Sequence, residues 1–138
     1  KYLEVKSTLE TPDINSNSTS WGNYSNVERT ISSDKAKKGS SWTSITGTKP
    51  ASSVLLTAGA SDDTKKMNIY DFAGNEWEWT LEKTSDSYGP CASRGGYYSY
   101  TGSDFPASYR YRYGTTNSFY NVGFRPTLYV NWKLKPWL

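Results

Sequence analysis

The chain has 138 residues, a hydrophobic fraction of 35% and a formal net charge of +3. This length predicts a single domain over residues 1–138, and lysines spread along the chain argue against nucleic-acid binding and membrane-surface binding. With no histidine and one cysteine, Cys91, the sequence excludes Ser-His-Asp and Cys-His catalysis, histidine-ligated metals, CxxC metal sites and an intramolecular disulfide. Neither GxGxxG nor GxxxxGK[ST] occurs, and no apolar run is long enough to span a bilayer.

Residues 1–60 are rich in serine and threonine, which make up 20 of the 60. No stretch keeps a 3.6-residue apolar period, so this part predicts loops and short strands with room for one short helix. Strands are expected at residues 2–8, 28–31 and 53–56, and turns at residues 11–13 and 38–39. Asn17 and Asn23 each begin an Asn-x-Ser/Thr glycosylation pattern, which is frequent by chance in such sequence.

The stretch NIYDFAGNEWEWTLEK, residues 68–83, has a different character. Residues 71–75 have turn chemistry, with Gly74 free to adopt a positive φ. Strict alternation follows, which predicts a strand with Trp77, Trp79 and Leu81 facing the core. The expected core is Trp77, Trp79, Leu81, Ile69, Phe72, Val122, Phe124 and Leu128.

The other face of this strand is acidic. Glu76 and Glu78 can be read as paired catalytic carboxylates on one strand face. The simpler interpretation is a solvated face or one paired with arginines, because a guanidinium grips a carboxylate bidentately. The expected partners are Arg94, Arg110 and Arg125.

Three motifs carry a family resemblance: NIYDFAGNEWEWT, then SRGG, then VGFR. In content and order they resemble the formylglycine-generating enzyme/sulfatase-modifying factor family, over about residues 67–129. The resemblance implies an α+β, C-type lectin-like fold with short antiparallel strands, few helices and much irregular loop. It divides the chain into a Ser/Thr-rich part (1–60), a signature region (61–130) and a tail (131–138).

The chemistry of that family does not carry over to this chain. Its oxidases bind copper through a pair of cysteines, and here Cys91 is alone and precedes the RGG motif. Its iron-dependent members need histidines, which are absent. Some members hold structural calcium, for which Asp62 and Asp63 are only a suggestive pair. We therefore expect no enzyme activity, no cofactor and no metal site.

Residues 97–121 are the most unusual part of the sequence. They contain nine tyrosines and phenylalanines among serine, glycine, aspartate, asparagine and arginine. Lys, Glu, Met and Trp occur 20 times in residues 1–96 and never in this segment, and Gln is absent from both. These five residue types are the ones that no codon ending in a pyrimidine encodes. Their absence is expected if asparagine codons, AAC or AAT, had their adenines randomised.

The segment is similar to the variable region of proteins diversified by retroelements, a branch of the same family. That resemblance implies a framework of residues 94–96, 106–108, 110, 115–117 and 122–125. It leaves open whether Tyr97 belongs to this framework or to the variable positions. It also implies a ligand-binding set of variable positions: Tyr98, Ser99, Tyr100, Asp104, Phe105, Tyr109, Tyr111, Arg112, Tyr113, Gly114, Phe119, Tyr120 and Asn121.

The sequence leaves several functions open. A hypervariable, Tyr-rich receptor-recognition surface is the first, since tyrosine offers a large contact area with few torsions to freeze. A carbohydrate-binding module with a fixed aromatic platform is the alternative, and an enzyme on the lectin scaffold ranks last. A further interpretation, without any ligand, is that this Tyr-rich surface packs on a neighbouring domain or subunit. The expected partner is a protein or cell-surface glycan, with no nucleic acid and no membrane insertion, at an extracellular, cell-surface or virion location.

Overall fold

The computed structural model describes residues 11–66, 68–116 and 118–126. Among these residues are one α-helix, α1 (Thr11–Asn15), and one 3-10 helix (Asp62–Thr64). The strands are β1 (Arg29–Thr30), β2 (Lys37–Lys38), β3 (Thr43–Ser44), β4 (Thr48–Lys49), β5 (Lys65–Lys66), β6 (Ile69–Tyr70), β7 (Trp77–Lys83), β8 (Cys91–Arg94), β9 (Tyr111–Tyr113) and β10 (Val122–Gly123). Short strands, few helices and irregular loops are therefore confirmed. No helix in the described ranges has the length and apolar character needed to cross a membrane.

The largest sheet has the strand order β10-β7-β8-β9. Strand β7 pairs antiparallel with β8 and parallel with β10, and β8 pairs antiparallel with β9. The remaining sheets are two-stranded, formed by β1 with β4, β2 with β3, and β5 with β6. The three sequence motifs thus meet in one sheet, because NEWEWT enters β7, SRGG ends β8 and VGFR begins at β10.

A bulge in β7 changes the predicted alternation. Trp79 lies opposite Ser93 and Lys83 lies opposite Cys91, so three residues of β7 face a single residue of β8. The Thr80 hydroxyl donates to the Ala92 carbonyl at 3.0 Å within this irregular stretch. Because the bulge breaks the period of two, the prediction that Leu81 faces the core is wrong; Leu81 has a relative exposure of 105%.

The rest of the predicted core has mixed outcomes. Trp77 is buried, with 1% relative exposure. Phe124 is exposed, so its core assignment is wrong; it follows the last residue of β10, beyond the paired strand. Leu128 lies outside the described residues. The other predicted core residues are half-buried, namely Ile69, Phe72, Trp79 and Val122.

Most fully buried apolar side chains come from the first half of the chain. One cluster consists of Trp21, Tyr24, Ala73 and Ala107. The second consists of Ala36, Ile45, Leu56 and Ala60. The Ser/Thr-rich part therefore forms much of the core, which the expected set, drawn only from residues 69–128, did not include.

The local predictions for the first half also divide. Residues 28–31 contain β1, and Gly39, with φ of 69°, lies in the connection between β2 and β3, as predicted. The predicted turn at residues 11–13 is instead the start of α1, where a proline near the first helical position is favourable. Residues 53–56 form no strand, although Leu56 makes an isolated bridge to Lys38. The strand predicted at residues 2–8 lies outside the described residues.

A buried pair of asparagines ties these parts together. The Asn23 side-chain amide donates to Asn75 Oδ1 at 2.9 Å and to the Val54 carbonyl at 3.0 Å. The Asn75 side chain accepts from the Leu56 N–H at 3.0 Å and donates to the Leu56 carbonyl at 2.9 Å. Asn23 is fully buried, so it is not an accessible glycosylation acceptor. Asn75 has φ of 60°, a left-handed conformation that asparagine tolerates better than most residues.

The backbone at residue 74 approaches that of Asn23 so closely that glycine is required at this position. Its φ is 70°, and a Cβ at this position would lie 2.8 Å from the Asn23 nitrogen. The Gly74 N–H donates to the Gly95 carbonyl at 2.6 Å, while the Asn75 N–H donates to the Asn23 carbonyl at 2.9 Å. The predicted turn at residues 71–75 is therefore confirmed, and it joins the first half of the chain to the end of β8.

Trp77→Ala should lower the free energy of unfolding by about 3–5 kcal/mol, because it removes a fully buried indole. Leu81→Ala is the matched control on the same strand. Its side chain is exposed, so we expect a loss below about 0.5 kcal/mol. Urea unfolding of both variants measures the difference. Equal losses would contradict the placement of Trp77 and Leu81.

Candidate ligand-binding surface

Residues 97–121 and strand β7 contribute to a continuous network of aromatic rings, which we call the aromatic platform. Its centre is the buried Trp77, whose ring centroid lies 5.8 Å from that of Phe105, 6.1 Å from Tyr109 and 5.4 Å from Tyr111. Rings in successive contact are Tyr98, Tyr97, Tyr100, Phe105, Tyr109, Trp77, Tyr111, Tyr113, Phe119 and Trp79. Eight of the nine tyrosines and phenylalanines of residues 97–121, all except Tyr120, therefore belong to one connected set of rings.

Trp79 supports the far end of the platform. Its ring lies 5.7 Å from Tyr113 and 6.4 Å from Phe119, and the Tyr113 and Phe119 rings are 4.3 Å apart. The Tyr111 ring lies 4.9 Å from Tyr113. As predicted for an extended YRYRY segment, its tyrosines share one side, where they rest on the two tryptophans of β7.

None of the thirteen predicted variable positions is buried in the structure. The exposed ones are Tyr100, Asp104, Tyr109, Tyr111, Arg112 and Tyr120. The half-buried ones are Tyr98, Ser99, Phe105, Tyr113, Gly114, Phe119 and Asn121. Tyr97 is 5% exposed, which places it with the framework.

The predicted framework is less uniform. Its glycines at 95 and 96, together with Pro106 and Ala107, are buried. Arg94, Ser108, Val122 and Gly123 are half-buried, whereas Arg110, Thr115, Thr116, Phe124 and Arg125 are exposed. Asn117 lies outside the described residues. The buried members are thus concentrated at the two points where the segment crosses the first cluster of the core.

Backbone atoms hold the segment in place. The Tyr98 N–H donates to the Asn75 carbonyl at 3.0 Å, and the Asn121 carbonyl accepts from the Trp77 N–H at 3.1 Å. The Tyr100 carbonyl accepts from both the N–H and the hydroxyl of Ser25, each at 2.9 Å. Since peptide groups make these bonds, the bonds persist when the side chains at positions 98, 100 and 121 change.

Two glycines and a buried tyrosine shape the start of the segment. Gly95 and Gly96 have φ of 102° and 83°, which turn the chain out of β8. The Tyr24 hydroxyl contacts the carbonyls of Gly95 at 3.2 Å and Phe105 at 3.0 Å. A Cβ on Gly96 would lie 2.6 Å from both the Phe105 carbonyl oxygen and the Tyr24 hydroxyl, so the close approach requires glycine. Burial raises the pKa of Tyr24, which keeps this hydroxyl protonated as a donor.

A buried lysine donates a hydrogen bond to the backbone of Tyr24. Lys49 is fully buried, and its Nζ donates to the carbonyls of Tyr24 at 2.6 Å and Val27 at 2.8 Å. Burial, with a smaller contribution from the nearby Arg29 charge, lowers the pKa of Lys49 to about 8. No periodicity or motif in the sequence marks Lys49 or Tyr24 as structural, because their roles depend on contacts with distant carbonyls.

Arginines pair with the acidic side chains of β7, as predicted, although with different partners. Arg125 forms an ion pair with Glu78. Arg94 and Arg110 pair with Glu82, each at 2.7 Å, rather than with Glu76 or Glu78. These arginines lower the pKa of Glu82, chiefly through the hydrogen bond from Arg94.

Glu76 differs from the other glutamates of this stretch. Burial, together with the neighbouring Glu78 charge, raises the pKa of Glu76. Glu78 is already engaged by Arg125, so the two carboxylates stand in different environments. Arg110, which lies between Tyr109 and Tyr111 in sequence, is anchored on Glu82 while its neighbours contribute to the platform.

Asp62 and Asp63 are occupied by protein donors. Asp62 accepts from the Tyr70 hydroxyl at 2.8 Å, and Asp63 accepts from the Thr30 N–H at 2.8 Å. Within the described part of the chain, no group of three or more Cys, Asp or Glu side chains is arranged to hold a metal ion.

Comparisons with known proteins identify no relative of this chain. No protein-family model matches the chain, and a search of curated proteins and a search of solved structures each find no match. The family resemblance therefore rests on the three sequence motifs, and the functional argument rests on the aromatic platform and the contacts that hold it.

Lys49 should make the protein more stable as pH rises from about 8 towards 10.5. In this window the unfolded chain still binds the lysine proton, whereas the folded state has released it, so the free energy of unfolding increases with pH. We expect a slope of up to about 1 kcal/mol per pH unit. Urea unfolding between about pH 7.5 and 9.0 measures it, since tyrosines of the unfolded chain ionise mainly nearer pH 10.

Lys49→Met is the control for this slope, because methionine fills similar space without a titrating group. Its stability should be nearly independent of pH over the same window. A wild-type profile as flat as that of the variant would show that Lys49 stays charged when buried.

Proposed function

We propose that this chain is a non-catalytic ligand-binding protein that displays a hypervariable, Tyr-rich surface on a lectin-fold scaffold. The observation that carries the proposal is the continuous aromatic platform, made by side chains from residues 97–121 on a base of Trp77 and Trp79. An accessible aromatic surface of this extent is typical of an interaction site.

The composition of the platform suits recognition of varied partners. Tyrosine offers a broad, rigid contact area and a hydroxyl that adapts to different hydrogen-bond partners, and serine, glycine and asparagine add adaptable polar contacts. Tyr100, Tyr109, Tyr111 and Tyr120 all expose at least a third of their surface. These rings are therefore accessible for contact, and neighbouring rings hold Tyr100, Tyr109 and Tyr111 in position.

The way the segment is held supports variability at its surface. The side chains at the predicted variable positions bond largely within the segment: Asn121 Nδ2 donates to the Tyr113 hydroxyl at 3.2 Å. An exception is Arg112, which pairs with Asp86 at 3.0 Å. Hydrogen bonds to the scaffold are made mainly by peptide groups, so we expect these bonds to remain when the side chains are replaced.

The finer fold assignment, a C-type lectin-like domain of the formylglycine-generating-enzyme type, is part of this proposal. Its support is that the three motifs of the resemblance occupy adjacent strands of one sheet, in the order β10-β7-β8. The proposed ligand is a protein or glycan on a cell or phage surface, and the proposed location is extracellular, on a cell surface or on a virion.

A library with NNC codons at the thirteen variable positions tests tolerance to diversification. We expect most clones to fold, because backbone bonds hold the segment. The matched control library places NNC codons at framework residues Arg94, Gly95, Gly96, Pro106 and Ala107, and few of its clones should fold. The measurement is the fraction of surface-displayed clones that resist protease. Similar fractions in the two libraries would contradict a diversified surface.

Tyr120→Ala should weaken binding by about tenfold, since an aromatic anchor in an interface contributes a kcal/mol or more. Tyr88→Ala is the matched control, because Tyr88 is 92% exposed and outside the segment, whereas Tyr120 is 86% exposed within it. Arrays of cell-surface glycans and ectodomains identify the ligand, and titration of both variants measures the change. If both variants weaken binding of the ligand equally, the ligand binds outside residues 97–121.

The alternative is a carbohydrate-binding module with a fixed aromatic platform, which the continuity of the rings also favours. Genomic sequence separates the two: a near-identical template repeat rich in AAC codons, beside a reverse transcriptase, supports diversification. An isolated gene whose close copies keep the same platform residues supports the fixed module.

A further inference from the structure

A cavity of about 390 Å³, wide open to solvent, lies at the edge of the aromatic platform, between the β2–β3 hairpin and Tyr98. Tyr98 lines the cavity on the side of residues 97–121. The polar lining consists of Lys38, Ser40, Ser41, Thr43 and Ser53. The volume is within the range of ordinary small-ligand sites. Among the described residues that line the cavity there is no carboxylate, and Lys38 is the one charged side chain.

The polar side chains of this cavity are all exposed to solvent, and none has a hydrogen-bond partner among the described residues. Elsewhere the fold uses its hydroxyls: Ser18 donates to the Asp13 carbonyl, and Thr64 donates to the Ser61 carbonyl. The hydroxyls of Ser40, Ser41, Thr43 and Ser53 and the Lys38 ammonium take no such part within residues 11–66, 68–116 and 118–126. Several donors and acceptors are thus available at one place for a polar ligand.

The walls of the cavity are held in position before any ligand arrives. The Gly39 N–H donates to the Leu55 carbonyl at 2.9 Å, and the Thr57 N–H donates to the Lys37 carbonyl at 3.0 Å, so the hairpin is fixed to the segment beneath it. Asn75 then joins that segment to the opposite wall. Its side chain holds both peptide groups of Leu56, and its carbonyl accepts from the Tyr98 N–H.

We propose that this cavity binds an acidic saccharide, with Lys38 contacting the anionic group, the serine and threonine hydroxyls contacting sugar hydroxyls, and residue 98 determining which sugar fits. The inference rests on the proposed ligand-binding function and adds a subsite with one fixed wall and one variable wall.

The chemistry of the lining favours this ligand class. A lysine without a neighbouring carboxylate in the lining attracts an anion, and hydroxyl groups both donate to and accept from the hydroxyls of a sugar. The Tyr98 side chain supplies an aromatic surface at the edge of the cavity. A bare phosphate ion would fill little of 390 Å³, whereas one or two sugar rings use both the volume and the dispersed hydroxyls.

The test titrates the full chain separately with glucuronic acid, with its neutral analogue glucose and with inorganic phosphate. Binding is followed by changes in NMR chemical shifts. We expect glucuronic acid to shift the signals of the cavity residues and to bind at least about tenfold more tightly than glucose or phosphate. Lys38→Gln should weaken glucuronic acid binding by about tenfold, the loss of one charge-assisted contact. Lys35→Gln is the matched control, because Lys35 is exposed nearby but does not line the cavity.

Three results would overturn the proposal: no shift at the cavity with glucuronic acid, equal affinity for glucose or phosphate, or equal losses with Lys38→Gln and Lys35→Gln. Tyr98→Ala should change the preference between glucuronic acid and the longer disaccharide cellobiouronic acid, and an unchanged preference would remove residue 98 from the site. These results are independent of the NNC library. A library that tolerates diversification beside a cavity that binds no sugar would overturn this subsite alone.

Discussion

The buried amide pair of Asn23 and Asn75 is the contact on which the remaining structure depends. It links the segment around Trp21 and Tyr24, the stretch through Leu56 and the turn before β7, which have few regular strands between them. Buried amides are costly unless they are bonded, so a single arrangement of these segments satisfies most of their polar groups.

This arrangement separates the groups that hold residues 97–121 in place from the side chains that these residues display. Peptide groups at positions 98, 100 and 121 bond to the scaffold, and Tyr24 bonds to the carbonyl of Phe105. The side chains rest on Trp77 and Trp79, which belong to β7 rather than to the segment. The core contacts and the backbone hydrogen bonds that hold the segment thus do not depend on the side chains at the most exposed positions, such as Tyr120.

The sequence predicted the elements with a local signal and missed those that depend on distant contacts. Alternation located β7, and the glycine pattern located the turn at residues 71–75, because both signals lie within a few residues. The bulge at Leu81 depends on how β7 pairs with β8, which no alternation reveals. Lys49 resembles any surface lysine until its carbonyl partners are known, and the Ser/Thr-rich first half hides the tryptophan and tyrosine that form its core.

The same separation would allow a fixed cavity to adjoin the proposed variable surface. Asn75 carries both walls, since its side chain holds Leu56 and its carbonyl holds the peptide of Tyr98. A different side chain at position 98 would change the shape and chemistry of one wall while the hairpin with Lys38 and its hydroxyls stays in place. A ligand with a constant anionic group and a variable neighbouring part matches this arrangement, because the lysine contact can be kept while the surface around it changes.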